Sequence, residues 1–386
     1  MNYRKATMVF LLLSLVSLFA DITYEGARSI LGAYLELLEA SAVIAGLISI
    51  GDLVSYLTRG LGGFIAGYLR SSKVYWFLVL MGYSINVFAV PLLAFVGRWE
   101  YAFILILVER IGKGLRAPAR DVILAEVTEH IGKGKGFGLH EVMDQIGAVL
   151  GPSIVAWTIY STGGDYRAAF IYLFIPALIA VALVITSIAI YPNIRSVKKA
   201  VSDRKQYYLG RRFLYYVASM AFLAMGFMHW GLIAYHYKAI STIPPYVIPL
   251  FYTAAMLSDA IIALPAGHLY DRIGLRILII TPWLAVLFIP FILSGSMYML
   301  LFGSIIWGFL MGIYETIMRA AVADLVPIDK RAYAYGVYGV TFGISWSIGN
   351  AIIGYLYQIM QPLIIYYVLA MEAIAFILLL KTIREK

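Results

Sequence analysis

The sequence predicts an all-α integral membrane protein with twelve transmembrane helices in two pseudo-symmetric six-helix halves. Three observations predict it. Of 386 residues, 62% are hydrophobic and 13% charged, against roughly 45–50% and about 25% in soluble domains; mean hydropathy is +0.86. The apolar residues run in continuous blocks from Met8 to Leu380, without the alternation of a membrane β-strand. At about 20 apolar residues per crossing, the chain holds about twelve helices and leaves no sizeable domain outside the membrane. A water-soluble enzyme, a nucleic-acid-binding module and a disordered scaffold are excluded.

The expected spans are 7–35, 42–69, 74–96, 101–119, 136–160, 167–190, 212–238, 246–269, 275–294, 298–324, 333–357 and 362–380. The first follows Arg4 and Lys5 as a signal peptide would. It continues past Asp21 and Glu25 without an A-x-A cleavage signal and is read as an uncleaved span. An even number of spans puts both termini on one side. Loops on that side hold Arg70, Lys73, Lys113, Arg116, Arg120, Lys133, Lys135, Arg272, Arg276, Lys330 and Arg331, and those opposite hold Arg98, Arg167 and Lys238. That bias places the termini in the cytoplasm of a multi-pass protein of the cytoplasmic membrane. It also accounts for the net charge of +9 without nucleic acid. The longest polar stretch, Tyr191 to Arg212, carries seven basic residues suited to a face near anionic lipid. The expected division is therefore 1–190, a cytoplasmic linker at 191–211, and 212–386.

An internal repeat relates the halves. A shift of 198 residues places Ala125 on Ala323, Glu126 on Asp324, Lys133 on Arg331, Phe137 on Tyr335, Gly138 on Gly336, Val142 on Val340, Ile146 on Ile344, Gly151 on Gly349 and Ile154 on Ile352. Spans 4–5 and 10–11 thus occupy equivalent positions in two halves of the same direction, an architecture that places a substrate site between the halves.

Three motifs carry a family resemblance. GHLYDRIGLR, Gly267 to Arg276, follows span 8; its first-half copy is reduced to Gly67 followed by Ser71 and Ser72. ERIGKGLRAP, Glu109 to Pro118, ends span 4, and GAVLGPS, Gly147 to Ser153, lies in span 5. The chain resembles a major facilitator superfamily transporter over essentially its whole length, and the paired signatures of spans 4 and 5 resemble a prokaryotic subgroup for which they name no substrate. The resemblance implies a conformational latch at Gly267, Asp271, Arg272, Gly274 and Arg276. It associates Arg110 with proton coupling, with Lys113 standing where the family pattern has glutamine. The motif of Gly147, Gly151 and Pro152 resembles that of antiporters, although glycines four apart also permit close helix packing; both readings stand.

Ionisable residues inside the spans are costly and face protein or water. Asp21, Glu25, Asp52, Asp144 and Asp259 are candidates for substrate and proton near the midplane. Arg28, Arg59, Glu109, Arg110, His140, Glu141, Glu315 and Arg319 are candidates for proton coupling or an inner gate. Asp21, Glu25 and Arg28 share a helical stripe, as do Glu315 and Arg319, and His140 and Asp144; Asp52 and Arg59 lie two turns apart on one face. Each set also has a purely structural reading as ion pairs that satisfy one another. His229 and His236 suit interfacial anchors, and Tyr338 and Trp346 are candidates to line a cavity. Spans 3, 6 and 9 carry no interior charge, as expected of the bundle's outside in this superfamily. Span 12 carries Glu372, which must snorkel, carry a proton or meet a neighbouring helix.

Eight interior acids stand against four arginines, and the excess must be protonated, hydrated or met by a cationic substrate. The leading expectation is a non-enzymatic secondary active transporter, exporting a cationic or amphipathic compound by proton antiport and alternating access. An importer of a sugar, organic acid or peptide is the alternative, with the arginines serving an anionic group. A membrane enzyme or a non-transporting sensor is the remote one, for G-x-S-x-G and H-E-x-x-H are absent. Zero cysteines remove thiolate metal sites, and no G-x-x-x-x-G-K-[ST] loop binds nucleotide. The expected partners are a small-molecule substrate, protons and lipid, with no cofactor, nucleic acid or nucleotide, in a monomer.

Overall fold

The computed structural model describes residues 3–129, 132–195, 209–327 and 330–385, and of residues 3, 133, 134, 319 and 332 the backbone alone. The described residues form helices and no strand, as backbone groups in hydrocarbon require. The helices are α1 (Tyr3–Leu37), α2 (Ala42–Leu47), α3 (Ile50–Leu69), α4 (Ser72–Leu92), α5 (Trp99–Val127), α6 (Lys133–Ser161), α7 (Tyr166–Tyr172) and α8 (Phe174–Ile190). They continue with α9 (Arg211–Gly226), α10 (Trp230–Ala239), α11 (Val247–Ile273), α12 (Thr281–Ile292), α13 (Met297–Leu325), α14 (Arg331–Ile359) and α15 (Pro362–Arg384). Among the described residues, nine helical stretches are long and apolar enough to cross a membrane, and one of them, Val247–Ile292, has 46 residues, enough for two crossings. α5 and α14 reach spanning length at 29 residues each. These are the lengths that twelve crossings need. Large apolar side chains such as Phe64, Trp157, Leu264 and Trp283 lie exposed on the surface, as suits a lipid-facing exterior.

The repeat holds to the residue. A shift of 198 carries α5 onto α13 and α6 onto α14, start on start and end on end. Equivalent acids end the first pair: Glu126 accepts from the Tyr191 hydroxyl at 2.6 Å, and Asp324 from that of Tyr270 at 2.6 Å. Burial, together with that hydrogen bond, pushes the Tyr191 phenol up to about 12.

The chain packs as two compact units, Met1–Arg28 with Val54–Arg204 and Ser29–Leu53 with Lys205–Lys386. In the first, Gly147 and Gly151 let α6 touch α1. A Cβ on Gly147 would lie 2.5 Å from the Leu18 oxygen, and one on Gly151 2.5 Å from that of Ile22. In the second, Gly349, the repeat partner of Gly151, seats α14 against α9 at Met225. Ser29–Leu53 is held there by the Trp230 indole donating to Ser29 O at 3.1 Å, and by close approaches of Gly32 to Gly231 and of Gly46 to Asn350.

Three expected spans are interrupted: span 2 between α2 and α3, span 6 at Leu173, and span 7 between Gly226 and Trp230. The last break is capped at three backbone groups from within its unit. Asn350 Nδ2 donates to Phe227 O at 3.1 Å and its Oδ1 accepts from His229 N at 2.6 Å. The Trp307 indole donates to Met228 O at 2.9 Å. The Phe227 ring fills the centre, with Phe288, Trp307, Tyr314 and Trp346 at centroid distances of 5.3–5.7 Å.

One expectation needs correction here. Lys113, Arg116 and Arg120, read above as loop residues, lie within α5, which continues through Pro118 to Val127. The helix persists because packing against α4 and α3 through Gly112 and Gly114 outweighs one proline. Most of the expected basic linker lies at 196–208, outside the described residues.

Candidate functional site

In the first unit, α1, α5 and α6 gather a buried polar cluster. Glu25 pairs with Arg28 at 3.1 Å on its own helix and with Lys113 of α5 at 3.9 Å. Lys113 also stands over the Tyr24 ring, 4.0 Å from its centroid. The glycine contacts of α6 bring Asp144, one turn before Gly147, into electrostatic contact with Asp21. Asp144 has His140 Nε2 at 3.9 Å, beyond hydrogen-bonding distance. Ser14, Ser17 and Asp21 share the α1 stripe. Their Oγ, Oγ and Oδ1 atoms, Asp144 Oδ1 and both His140 ring nitrogens are buried without a hydrogen-bond partner among the described residues. Buried polar atoms are normally satisfied, so this concentration marks unused hydrogen-bonding capacity.

Beside it, Arg116 is 2% exposed, lies 3.8 Å from the Tyr83 ring centroid and donates to Asn86 Oδ1 at 3.3 Å. Its Nε and Nη1 make no hydrogen bond among the described residues. Asn86 in turn donates to the Glu109 carboxylate, whose other oxygen pairs with Arg110 at 3.1 Å. Arg59 pairs with Asp121 at 2.9 Å, and Arg120 with Asp121 at 2.8 Å.

In the second unit, the break before α10 presents His229. Its Nδ1 accepts from the Gly231 amide at 2.9 Å as the N-cap of α10, which places a neutral ring's proton on Nε2. That nitrogen faces Asp52 Oδ2 at 3.9 Å. The His229 ring meets Trp346 edge-on at 6.0 Å, and Phe342 and Tyr338 follow down α14. The Trp346 indole nitrogen makes no hydrogen bond among the described residues. Asp259 is buried against Gly312, where a Cβ would lie 2.6 Å from its Oδ1. Among the described residues no group of three or more His, Asp or Glu is placed to hold a metal ion.

Several expectations change. Asp52 and Arg59 fall in different packing units, and Arg59 pairs with Asp121. The Asp21–Glu25–Arg28 stripe divides, with Glu25 taking Arg28 and Asp21 turning to Asp144. Glu141 and Glu315 are exposed, and the side chain of Arg319 lies outside the described residues. His229 and His236 are not interfacial anchors: they are 4% and 2% exposed, and His236 Nδ1 hydrogen-bonds the Tyr357 hydroxyl at 2.8 Å. In the expected latch, α11 runs to Ile273 and ends at Gly274, whose φ of +59° suits glycine alone. Asp271, Arg272 and Arg276 are exposed, and contact with α13 is made through Tyr270. With Lys113, Arg116 and Arg120 inside α5, the acid excess read from the sequence disappears from the first unit.

Comparison with known proteins follows the same lines. The family model described as Major Facilitator Superfamily matches residues 13–248 and 215–386. The chain belongs to the major facilitator superfamily. Relatives in it include an uncharacterised protein of Mycobacterium tuberculosis (strain ATCC 25618 / H37Rv), 34% identical over 371 residues, covering 94% of this chain and 90% of the relative. An uncharacterised MFS-type transporter of Methanocaldococcus jannaschii is 25% identical over 390 residues, covering 98% and 96%. The fold is similar to the crystal structure of the nucleoside transporter NupG, with a TM-score of 0.74 at 16% identity and full coverage of both chains. It is also similar to a point variant of the peptide transporter POT, with a TM-score of 0.75 at 15% identity, covering 97% and 93%. The superfamily's fold and its transporter character therefore apply here.

Asn86, Arg116, His229 and Asn350 escaped the sequence reading of the site. Asn86 and Asn350 each had a signal as a lone amide in an apolar span.

The α1–α6 contact gives a direct test. Gly151→Leu is expected to destabilise the protein by at least about 1–3 kcal/mol, the scale of overpacking. Gly138→Ala on the same helix, where a Cβ meets nothing within 4 Å, should stabilise by about 0.5–1 kcal/mol. Thermal denaturation in detergent compares the two.

Proposed function

We propose that the protein is a proton-coupled antiporter that exports a small cationic or amphipathic organic solute across the cytoplasmic membrane by alternating access. Both termini are cytoplasmic, and the proton gradient drives the cycle. The observation that carries this reading is the pair Asp21 and Asp144, two neighbouring carboxylates, the first buried and the second partly so, each with an oxygen that makes no hydrogen bond among the described residues. Such a pair takes up and returns a proton as its surroundings open and close.

The repeat supports a division of labour. His140 and Asp144 of α6 correspond to Tyr338 and Phe342 of α14 under the 198-residue shift. Titratable groups in one half thus stand where the other has aromatic rings. In the second unit the described Lys and Arg side chains sit at helix ends or in the turn Gly274–Ile280, while Asp259 and the rings of Tyr338, Phe342 and Trp346 are buried and Asp52 is partly so. Carboxylates with aromatic faces suit an organic cation. A site that holds either a proton or a cation exchanges one for the other.

Arg116 favours a second reading. A buried guanidinium with two unused nitrogens suits an anionic solute, taken up with protons.

Both readings meet one test. Proteoliposomes loaded with a pH-sensitive dye are given tetraphenylphosphonium, spermidine, a sugar, succinate, a nucleoside and a dipeptide in turn, the last two prompted by the named structural neighbours. Proton movement opposite to that of a cation supports antiport, and movement together with succinate or the dipeptide supports the second reading. A solute that crosses without protons overturns both.

A further inference from the structure

Glu372 stands apart from both clusters. It lies ten residues after the start of α15 and twelve before its end, so about 15 Å of helix separates it from either side. It is 1% exposed. Neither carboxyl oxygen has a hydrogen-bond partner among the described residues. The side chain reaches α9 at Gly226, where an added Cβ would come within 2.6 Å of Oε1. Gly226 is the last residue of α9, so the carboxyl rests beside the break that Asn350 and Trp307 cap.

The described groups around it offer no counter-charge. α15 packs on α9, α12, α14 and the turn Gly274–Ile280. α9 brings Tyr215 and Tyr216, with Arg211 and Arg212 at its far end, and Arg212 is engaged with Thr382 O at 3.2 Å. α12 brings no titratable side chain. α14 brings Tyr333, Tyr335, Tyr338, Tyr355 and Tyr357, with Arg331 at its start, and the turn brings Arg276, which is exposed. Tyr314 of α13 is the group with which Glu372 interacts electrostatically. On α15 itself are Tyr366 and Tyr367. Lys381 and Arg384 lie in its last turn, with Lys381 over the Tyr215 ring.

An ionised carboxylate here, 1% exposed, would make no hydrogen bond and no ion pair among the described residues. An apolar side chain of similar size would fill the same space without that penalty. We propose that Glu372 is a second proton-binding site, which holds its proton while the α9–α10 break is packed as in this structure and releases it when the break loosens. The site is independent of Asp21 and Asp144, and it gives the second unit a titratable group that responds to the shape of a discontinuous helix.

Infrared difference spectroscopy of the full chain in lipid tests this without any transported solute, so its failure and that of the antiport reading are told apart. The expected result at neutral pH is the carbonyl stretch of a buried protonated carboxyl that Glu372→Gln lacks and Asp144→Asn retains. Trp307→Phe, which removes the hydrogen bond to Met228 O, should reduce that band. Identical spectra for the wild type and Glu372→Gln overturn the site, and an unchanged band in Trp307→Phe overturns its link to the break. Should Glu372→Gln not fold, Glu372→Asp decides. A carbonyl stretch of a buried protonated carboxyl in the wild type that moves in Glu372→Asp supports the site, and an unmoved or absent band overturns it.

Discussion

Asp144→Asn is expected to cut solute-driven proton movement about a hundredfold or more, the scale on which removing a group that accepts and returns a proton acts. The amide keeps the shape of the carboxyl but cannot exchange a proton. Folding should survive, because Asp144 Oδ1 makes no hydrogen bond among the described residues. His140 Nε2, at 3.9 Å, is too distant to depend on it. The two readouts separate a coupling residue from a structural one. Dye-loaded proteoliposomes measure the first, with whichever solute of the panel moves protons through the wild type, and thermal denaturation in detergent measures the second. Asp21→Asn should behave alike. Wild-type proton movement in both variants would remove the carboxylate pair from the coupling mechanism.

Asn350→Ala should have the largest effect on stability. The side chain is fully buried and satisfies the His229 amide and the Phe227 carbonyl, two of the groups that open when span 7 departs from helix. Leaving a buried polar group without its partner costs about 1–3 kcal/mol, so the pair costs about 2–6 kcal/mol. A fall in melting temperature, larger than that of Trp307→Phe, is the expected outcome. A neutral Asn350→Ala would mean that the break is held by the aromatic packing around Phe227 alone. The repeat explains why an amide stands there. Asn350 occupies the place that Pro152 holds in α6, so the two halves use one helical position for different purposes.

The repeat was legible to the residue because helix ends follow local chemistry. The 198-residue shift read from scattered identities predicts the exact bounds of α5 against α13 and of α6 against α14. Close packing at Gly147 and Gly151 was legible as one of two open readings, since glycines four apart permit close helix approach. Lys113, Arg116 and Arg120 were misplaced because charge alone cannot separate a loop from the buried face of a long helix. Lys113 meets Tyr24, and Arg116 meets Tyr83 and Asn86, all from other helices.

What the sequence determined by itself is the class of protein, its helical architecture and its duplication. Each rests on quantities summed over many residues, such as apolar run length, charge asymmetry and repeat spacing, which no single contact can overturn. What only the tertiary structure decided is which charged groups meet. Glu25 took Arg28 and Lys113, Arg59 took Asp121 and not the face of Asp52, and His229 left the expected interface to cap α10 beside Asp52. Those pairings follow from which helices lie side by side and how closely their glycines let them approach. Such distances are set by packing across the fold and leave no trace in residue spacing along one helix.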